Sequence, residues 1–538
     1  MVSRRGRAAK LKIRREIQQT SALVDSAPGL ALKSTERLER ELRDLTVPDD
    51  LAGEDFFGLL LDLAGLQIDA GGRRASQEAL ATGVQWAEDV LAAESAVPSQ
   101  RSLASYFLAN GLMEGYQLQL ADWRRRPATK ASLRRAPFEL ENRELLRRCR
   151  LLLAEAGHSE DLDGFRRSLA LCNLANILDE SGRWVEAYEA YADALEEYPN
   201  NGNAAGNIAE LIKRRLATGR GPGGHYAAVF NKYVDLAKRL RPHTVQIAGE
   251  LTAQRWDALQ PIDTHGHDEH PGDTSDPYQK WIRANRLALS EAIEGLGSDN
   301  PRWDDASPPA IRMIDGQSVP TVFAALNVLK AEFLAARALA FEGQEKLLRH
   351  IFKQDPDDTG TYTNTLDYSI YGQPAAQLIL AQRAALDVLD KIAVTADLHF
   401  ETRMPPSDIW FRSYWFDKGS GVLRPKLPRS HAPLPVGAAI ALAELSFDVD
   451  REGLYAEALA LRNAGTHRLV RVNLIEPGGV SDDSQNTIGL FELVDGCVQT
   501  LQVIRSAYLY LLDLIAEGQR AVSSDSEKRI EIPLPVQE

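Results

Sequence analysis

NLANILDESGRWVEAYEAYADALEEYPNNGNAAGNIA, residues 173–209, decides how the first half of the chain is read. Its opening Asn173-Leu174-Ala175 returns as Asn207-Ile208-Ala209, 34 residues later. A period of that length marks stacked supersecondary units, each unable to bury its apolar face alone. Ala175 and Ala187 are small where two helices can cross closely. Tyr191 and Ala194 give the second helix a contact face. Pro199 stops that helix, because proline has no N–H to continue the hydrogen-bond ladder.

Working outward, Phe56–Leu66, Ser76–Ala93, Gln100–Leu120 and Glu139–Glu155 carry apolar residues at three- and four-residue spacing, which predicts helix after helix. The 34-residue unit, with Gly182 and Trp184 between its helices, resembles a tetratricopeptide (TPR) repeat. The match covers one unit and the first helix of the next. The resemblance implies a solenoid over residues 48–255 whose curved face takes a protein or peptide partner. The alternative is a purely structural scaffold for the domain that follows.

Composition bounds the rest. The chain has 538 residues, 44% hydrophobic and 26% charged, which is ordinary for a water-soluble protein of several domains. A net charge of -14 argues against a wholly basic nucleic-acid binder, though one local basic site remains compatible with it. Cys149, Cys172 and Cys497 are odd in number and widely spaced. They predict neither a disulfide framework nor a metal motif, and point to the cytoplasm. The first twenty residues have no apolar core of a secretory leader, and no run reaches the roughly 18 apolar residues of a membrane span. Residues 1–47 read as a basic arm and a helix, with the arm solvated and frayed.

Gln260–Asp276 contains DTHGHDEH, with His265, His267 and His270. It reads as a metal site or as a flexible acidic linker, and the surrounding Pro, Gly, Asp and Ser favour the linker, over residues 256–277. Residues 278–520 are again helical: Tyr278–Leu296, Val319–Phe352, Pro374–Ala396, Gly437–Leu445, Leu454–Asn463 and Thr487–Glu517, with a proline-rich loop at 403–435 and a polar tail at 521–538. The whole chain is thus expected to be all-α.

The candidate chemistry sits in LYAEALALRNAGTHRLVR, residues 454–471, where Arg462 closes an amphipathic helix, Gly465 ends it and His467 follows the turn. Arg-x4-His occurs once more, as Arg220 and His225, but there in the glycine-rich GRGPGGH, with no rigid element expected beneath it. Arg462, Asn463 and His467 match, one by one, the Arg-polar-x3-His motif of the HEPN family, and residues 320–520 resemble its small helical bundles. The resemblance implies a metal-independent endoribonuclease, a homodimer through the C-terminal domain and a stress or antiphage effector. Arg462 and His467 would be catalytic, with Asn463 orienting the histidine or binding phosphate. No cofactor and no metal are expected.

The segment Ile409–Phe416 interleaves aromatics with Arg412, so Trp410, Arg412, Trp415, Lys418 and Arg468 are candidate RNA contacts. The competing reading is that these aromatics pack the loop onto the bundle. Two functional alternatives stand beside the ribonuclease. One is a non-catalytic interaction or nucleotide-binding module. The other is a metal-dependent hydrolase built on His265, His267 and His270.

Overall fold

A computed structural model of the chain describes residues 4–45, 51–125, 138–219, 221–264, 267, 275–293, 303–308, 310–314, 321–349, 369–402, 404–417, 422–424, 427, 437–450, 452–456, 469–474, 485–522 and 529–533. Helices dominate: α1 Arg4–Ser21, α2 Pro28–Arg43, α3 Gly53–Arg74, α4 Gln77–Ala92, α5 Pro98–Arg125, α6 Phe138–Glu141, α7 Arg143–Gly157, α8 Gly164–Glu180, α9 Trp184–Glu197, α10 Gly202–Ala217, α11 Gly223–Arg239, α12 Arg241–Ala248 and α13 Glu250–Asp257. After these come α14 Pro277–Ala284, β1 Ala310–Ile314, α15 Thr321–Arg349, β2 Ser369–Ile370, α16 Gln373–Phe400, α17 Phe411–Tyr414, α18 Ala438–Asp448, β3 Leu469–Asn473, β4 Gln485–Gly489, α19 Leu490–Val522 and β5 Arg529–Pro533. The all-α class holds, with two small sheets added among the described residues.

Two compact units divide the chain. The first comprises residues 1–178, 187–208 and 234–259; the second comprises 179–186, 209–233 and 260–538.

In the first unit, Ile13, Ile17, Leu38, Leu42, Leu59, Leu60, Leu61, Leu63, Trp86 and Val90 form a common core. Ile13 and Ile17 are four apart on α1, so one stripe of that helix is buried. The N-terminal segment is therefore not the frayed arm expected from its charge. Its basic residues also find partners: Lys10 pairs with Asp55, and Lys12 lies 2.9 Å from Glu41.

The 34-residue pattern has direct physical counterparts. Ala175, Ala187 and Ala194 are fully buried. Ser168 Oγ donates to Ala194 O at 2.5 Å, and Asn201 Nδ2 donates to Ser168 Oγ at 2.9 Å. Asn201 Oδ1 in turn accepts from Ala204 N, at 3.0 Å, and so caps the start of α10. A Cβ on Gly206 would lie 2.2 Å from the Trp256 ring, so only glycine admits this approach. We expect Gly206→Ala to displace Trp256 and destabilise the protein by about 1–3 kcal/mol, read from urea denaturation.

In the second unit α15 and α16 run antiparallel: Lys391 lies 2.6 Å from Glu332, while Gly343 abuts Pro374 and Leu378. Helix α19 lies against both. Cys497 Sγ points to Leu378 O at 3.9 Å, Gln382 Nε2 reaches Thr500 Oγ1 at 3.4 Å, and Tyr508 OH reaches Leu326 O at 3.4 Å. The stretch Tyr508–Ile515 is buried on every side. A helix that is hydrophobic all round must be enclosed in this way.

Strand β3 is the middle of a three-stranded sheet, antiparallel to β2 and parallel to β4, with Leu469 opposite Gln485 and Asn473 opposite Gly489. Strands β1 and β5 form a separate antiparallel pair. Two expectations are corrected here. Thr487–Gly489 belongs to β4, and the last helix begins at Leu490. Helix α14 stops at Ala284 rather than running to Leu296, because Arg286 is left-handed (φ 53) and Leu287 O is held at 2.8 Å by Arg337 Nη1.

The stretch expected to be a flexible linker is also tied down where it is described. Asn231 Nδ2 donates to Ile262 O and Asn231 Oδ1 accepts from Ile262 N, each at 2.8 Å.

The second unit buries carboxylates whose counter-ions come from far upstream. Arg215 lies 2.6 Å from Asp513 and 3.2 Å from Glu291, and stacks 3.9 Å from the centre of the Trp184 ring. Trp184 Nε1 donates to the same Asp513 oxygen at 3.0 Å. A fragment starting at residue 278 lacks Arg215 and leaves Asp513 buried without its cation. Breaking such a pair from one side costs about 3–5 kcal/mol. We expect residues 278–538 to fail to show a cooperative thermal transition, whereas the full chain shows one.

Candidate functional site

The motif Arg462, Asn463 and His467 lies outside the described residues, as do Arg468, Lys418, His265, His270 and Arg220. What the structure describes is how the chain enters and leaves that segment. On the far side, Leu469 starts β3, which is paired to β4 along its whole length. On the near side, α18 ends at Asp448, and Tyr455 N donates back to Asp448 O at 2.7 Å. The reversal needs Gly453, where a Cβ would sit 2.3 Å from Asp448 O.

Tyr455 is fixed more firmly by its side chain. Its hydroxyl donates to Glu186 Oε1, and Tyr510 OH donates to Glu186 Oε2 at 3.0 Å. Arg183 Nε donates to Glu186 Oε2 at 2.8 Å, its Nη2 donates to Glu186 Oε1, and its Nη1 reaches Asp448 Oδ2. Arg183 and Asp448 are fully buried, and Glu186 is 6% exposed. Burial opposes the Arg183 charge, but Glu186 and Asp448 together hold its pKa well above the usual range. Burial also raises the hydroxyl pKa values of Tyr455 and Tyr510 well above the tyrosine range, so both remain hydrogen-bond donors. Glu186 thus accepts four bonds, which is what a buried carboxylate requires.

None of Arg183, Glu186, Asp448, Tyr455 or Tyr510 was a candidate from sequence. One signal was present. Asp448 closes one apolar helix and Asp513 interrupts another, and a charge in such a run calls for a counter-ion without saying which.

The aromatic segment divides sharply. Phe411, Tyr414 and Trp415 are buried, with Trp415 at 0% exposure. Trp415 therefore cannot stack on a base, and the packing reading replaces the expected RNA contact there. Trp410 is 54% exposed. Arg412 is half-exposed and lies 2.6 Å from Asp450. We expect Trp415→Ala to destabilise the fold by about 3–5 kcal/mol, with Trp410→Ala neutral, by urea denaturation.

The other sequence candidates fall as follows. His225 is not in a loose turn: it sits on α11, is 4% exposed, and makes an edge-to-face contact with His267 at 5.3 Å between ring centres. Among the described residues no three His, Cys, Asp or Glu come together as a metal site. Burial pushes the thiols of Cys149, Cys172 and Cys497 up to about 12, so none is a thiolate nucleophile near neutral pH. Among the described residues no helix is long and apolar enough to cross a membrane.

A helical bundle closed around α19, with a small sheet beside it, is the class of domain the second unit presents. Residues 313–518 match the family described as LA2681-like HEPN, and so constitute a HEPN domain. That assignment points to nuclease or RNA-related function in general, and HEPN domains often bind RNA and dimerise. No curated protein and no solved structure matches the chain.

Proposed function

We propose that this protein is a metal-independent endoribonuclease acting through Arg462 and His467. The observation that carries the reading is the HEPN match over 313–518, which encloses the one Arg-polar-x3-His sequence of that domain. The chemistry needs only groups the motif supplies. RNA carries its own nucleophile, the 2′-OH, beside the 3′ phosphate. A histidine with a pKa near neutrality takes the 2′-OH proton as the oxygen attacks phosphorus. Arg462 offers a fixed fork of donors to the phosphate oxygens as negative charge accumulates there. The P–O5′ bond breaks, the 5′ oxygen takes up a proton, and the products are a 2′,3′-cyclic phosphate and a 5′-OH. Asn463 orients the histidine or binds phosphate. Trp410, with its indole half in solvent, offers a stacking face for a base, and Arg412, Lys418 and Arg468 offer charge to the backbone.

In this reading a homodimer brings two motifs to one cleft, and the protein acts in the cytoplasm as a stress or antiphage effector. The first unit selects or regulates through a protein or peptide partner. A row of partly buried amides supports that role. Asn173 Nδ2 donates to Asn110 Oδ1 at 2.9 Å, and Asn207 Nδ2 and Tyr191 OH both donate to Asn176 Oδ1, at 2.9 and 2.7 Å. Amides fixed by one another present donors and acceptors at set positions, as an extended peptide main chain requires.

The deciding experiment is RNA cleavage by the full chain in excess chelator, compared with Arg462→Ala and His467→Ala. We expect cyclic-phosphate ends from the wild type and at least a roughly 100-fold loss in each variant. Equal behaviour of all three proteins toward RNA would instead favour the non-catalytic interaction module.

A further inference from the structure

We propose that the face shared by α3, α5, α8 and α10 binds an extended peptide segment bearing arginine or lysine, with Asp62 and Asp69 taking the cations and Asn173 and Asn207 the main chain. The proposal rests on the reading that the first unit takes a peptide partner, and it supplies that partner's chemistry.

The four helices meet along a line of polar side chains. A Cβ on Gly65 would lie 2.7 Å from the Phe107 ring, and one on Gly72 would lie 2.9 Å from Glu114, so α3 and α5 run side by side in the same direction. Asp69 falls between those two levels. Its field reaches Tyr106, whose hydroxyl hydrogen-bonds Asn110. From Asn110 the row continues through Asn173 and Asn176, one turn apart on α8, to Asn207 on α10. Asp62 stands seven residues before Asp69, about two turns, on the same side of α3. Packed helices are about 8–10 Å apart and an extended chain rises about 3.3 Å per residue, so a peptide crossing this face meets a new helix about every three residues.

The face offers acceptors and little else. Asn173 Nδ2 already donates to Asn110, Asn207 Nδ2 to Asn176, and Asn203 Nδ2 to Cys172 Sγ. Among the described residues the carbonyl oxygens of Asn173, Asn203 and Asn207 accept from no group, and Asp62 and Asp69 have no cation within ion-pair distance. The nearest arginines are held elsewhere, Arg73 by Asp25 at 2.8 Å and Arg166 by Asp163 at 3.0 Å. Asp62 and Asp69 are both exposed, yet desolvation raises both carboxyls, Asp69 to about 6. Water therefore reaches these acids while protein crowds their flanks, as in a surface depression. With its pKa above the unfolded value, the Asp69 carboxylate opposes folding at neutral pH, and an arriving guanidinium or ammonium relieves that cost. Arginine adds a fork of donors matched to a carboxylate, and the free amide oxygens take main-chain N–H groups.

The test selects random twelve-residue peptides, displayed on phage, against the full chain, and measures the selected sequences as labelled synthetic peptides by fluorescence anisotropy. We expect arginine and lysine to be enriched at least about threefold over the starting library. Asp62→Asn with Asp69→Asn should weaken binding at least about tenfold, with a melting temperature equal to or above that of the wild type. Glu342→Gln with Asp495→Asn, exposed acids of the second unit, removes the same charge and should leave binding unchanged, which separates this face from general attraction to a chain of net charge -14. Asn207→Ala should weaken binding by about 3- to 10-fold and keep the preference for basic sequences. Selection of acidic or apolar peptides, or basic peptides indifferent to the Asp62 and Asp69 changes, overturns the proposal and leaves the peptide-partner reading standing. If spermidine binds as tightly as the peptides and Asn207→Ala changes nothing, the face holds a small polyamine and the proposal falls. If no peptide is selected, the peptide-partner reading fails with it.

Discussion

The second unit depends on bringing arginines to carboxylates that its own helices bury. Asp448 closes α18 and Asp513 lies within α19, both in surroundings that exclude water. Left alone, either charge would be prohibitive there. Arg183 and Arg215 answer them, and both belong to segments more than 200 residues earlier in sequence than the carboxylates they meet. The C-terminal bundle is thus not closed by the residues of its HEPN match, 313–518, alone. Trp184 adds to the same economy of contacts, stacking under Arg215 while its N–H donates to Asp513. Cation, ring and carboxylate fix one another's positions in a way that no single pair could.

The described residues on either side of 457–468 make contacts of different kinds: Leu469–Asn473 pairs as a strand, and Tyr455 joins an ion network. The first unit has a contrasting character. Its core is largely alanine and leucine packing, and several of its partly buried polar groups meet as neutral amide contacts. Neutral amides lose less on partial burial than charges do.

Much of the site's surroundings could not be read ahead of the structure. The aromatic run 409–416 reads either as a nucleic-acid wall or as a packing segment, with packing favoured. Exposure on the two sides of the short helix α17 separates them, with Trp410, just before it, outward and Trp415, just after it, in the core. The N-terminal charges masked Ile13 and Ile17, whose four-residue spacing was the better guide. Likewise the polar DTHGHDEH stretch reads as linker by composition, although Ile262 just before it is clasped by Asn231.

By itself the sequence determined the helical class, through three- and four-residue spacing that only a helix can satisfy, and the small and helix-ending residues of the 34-residue unit. These are local properties, written in short windows where backbone periodicity and side-chain size suffice. Only the tertiary structure decided which distant arginine meets which buried carboxylate, that Thr487 is strand rather than helix, and that Tyr455 anchors the chain before the motif. Each of those depends on partners far apart in sequence, and pairing of that kind is fixed by which arrangement leaves no buried charge or backbone group unanswered.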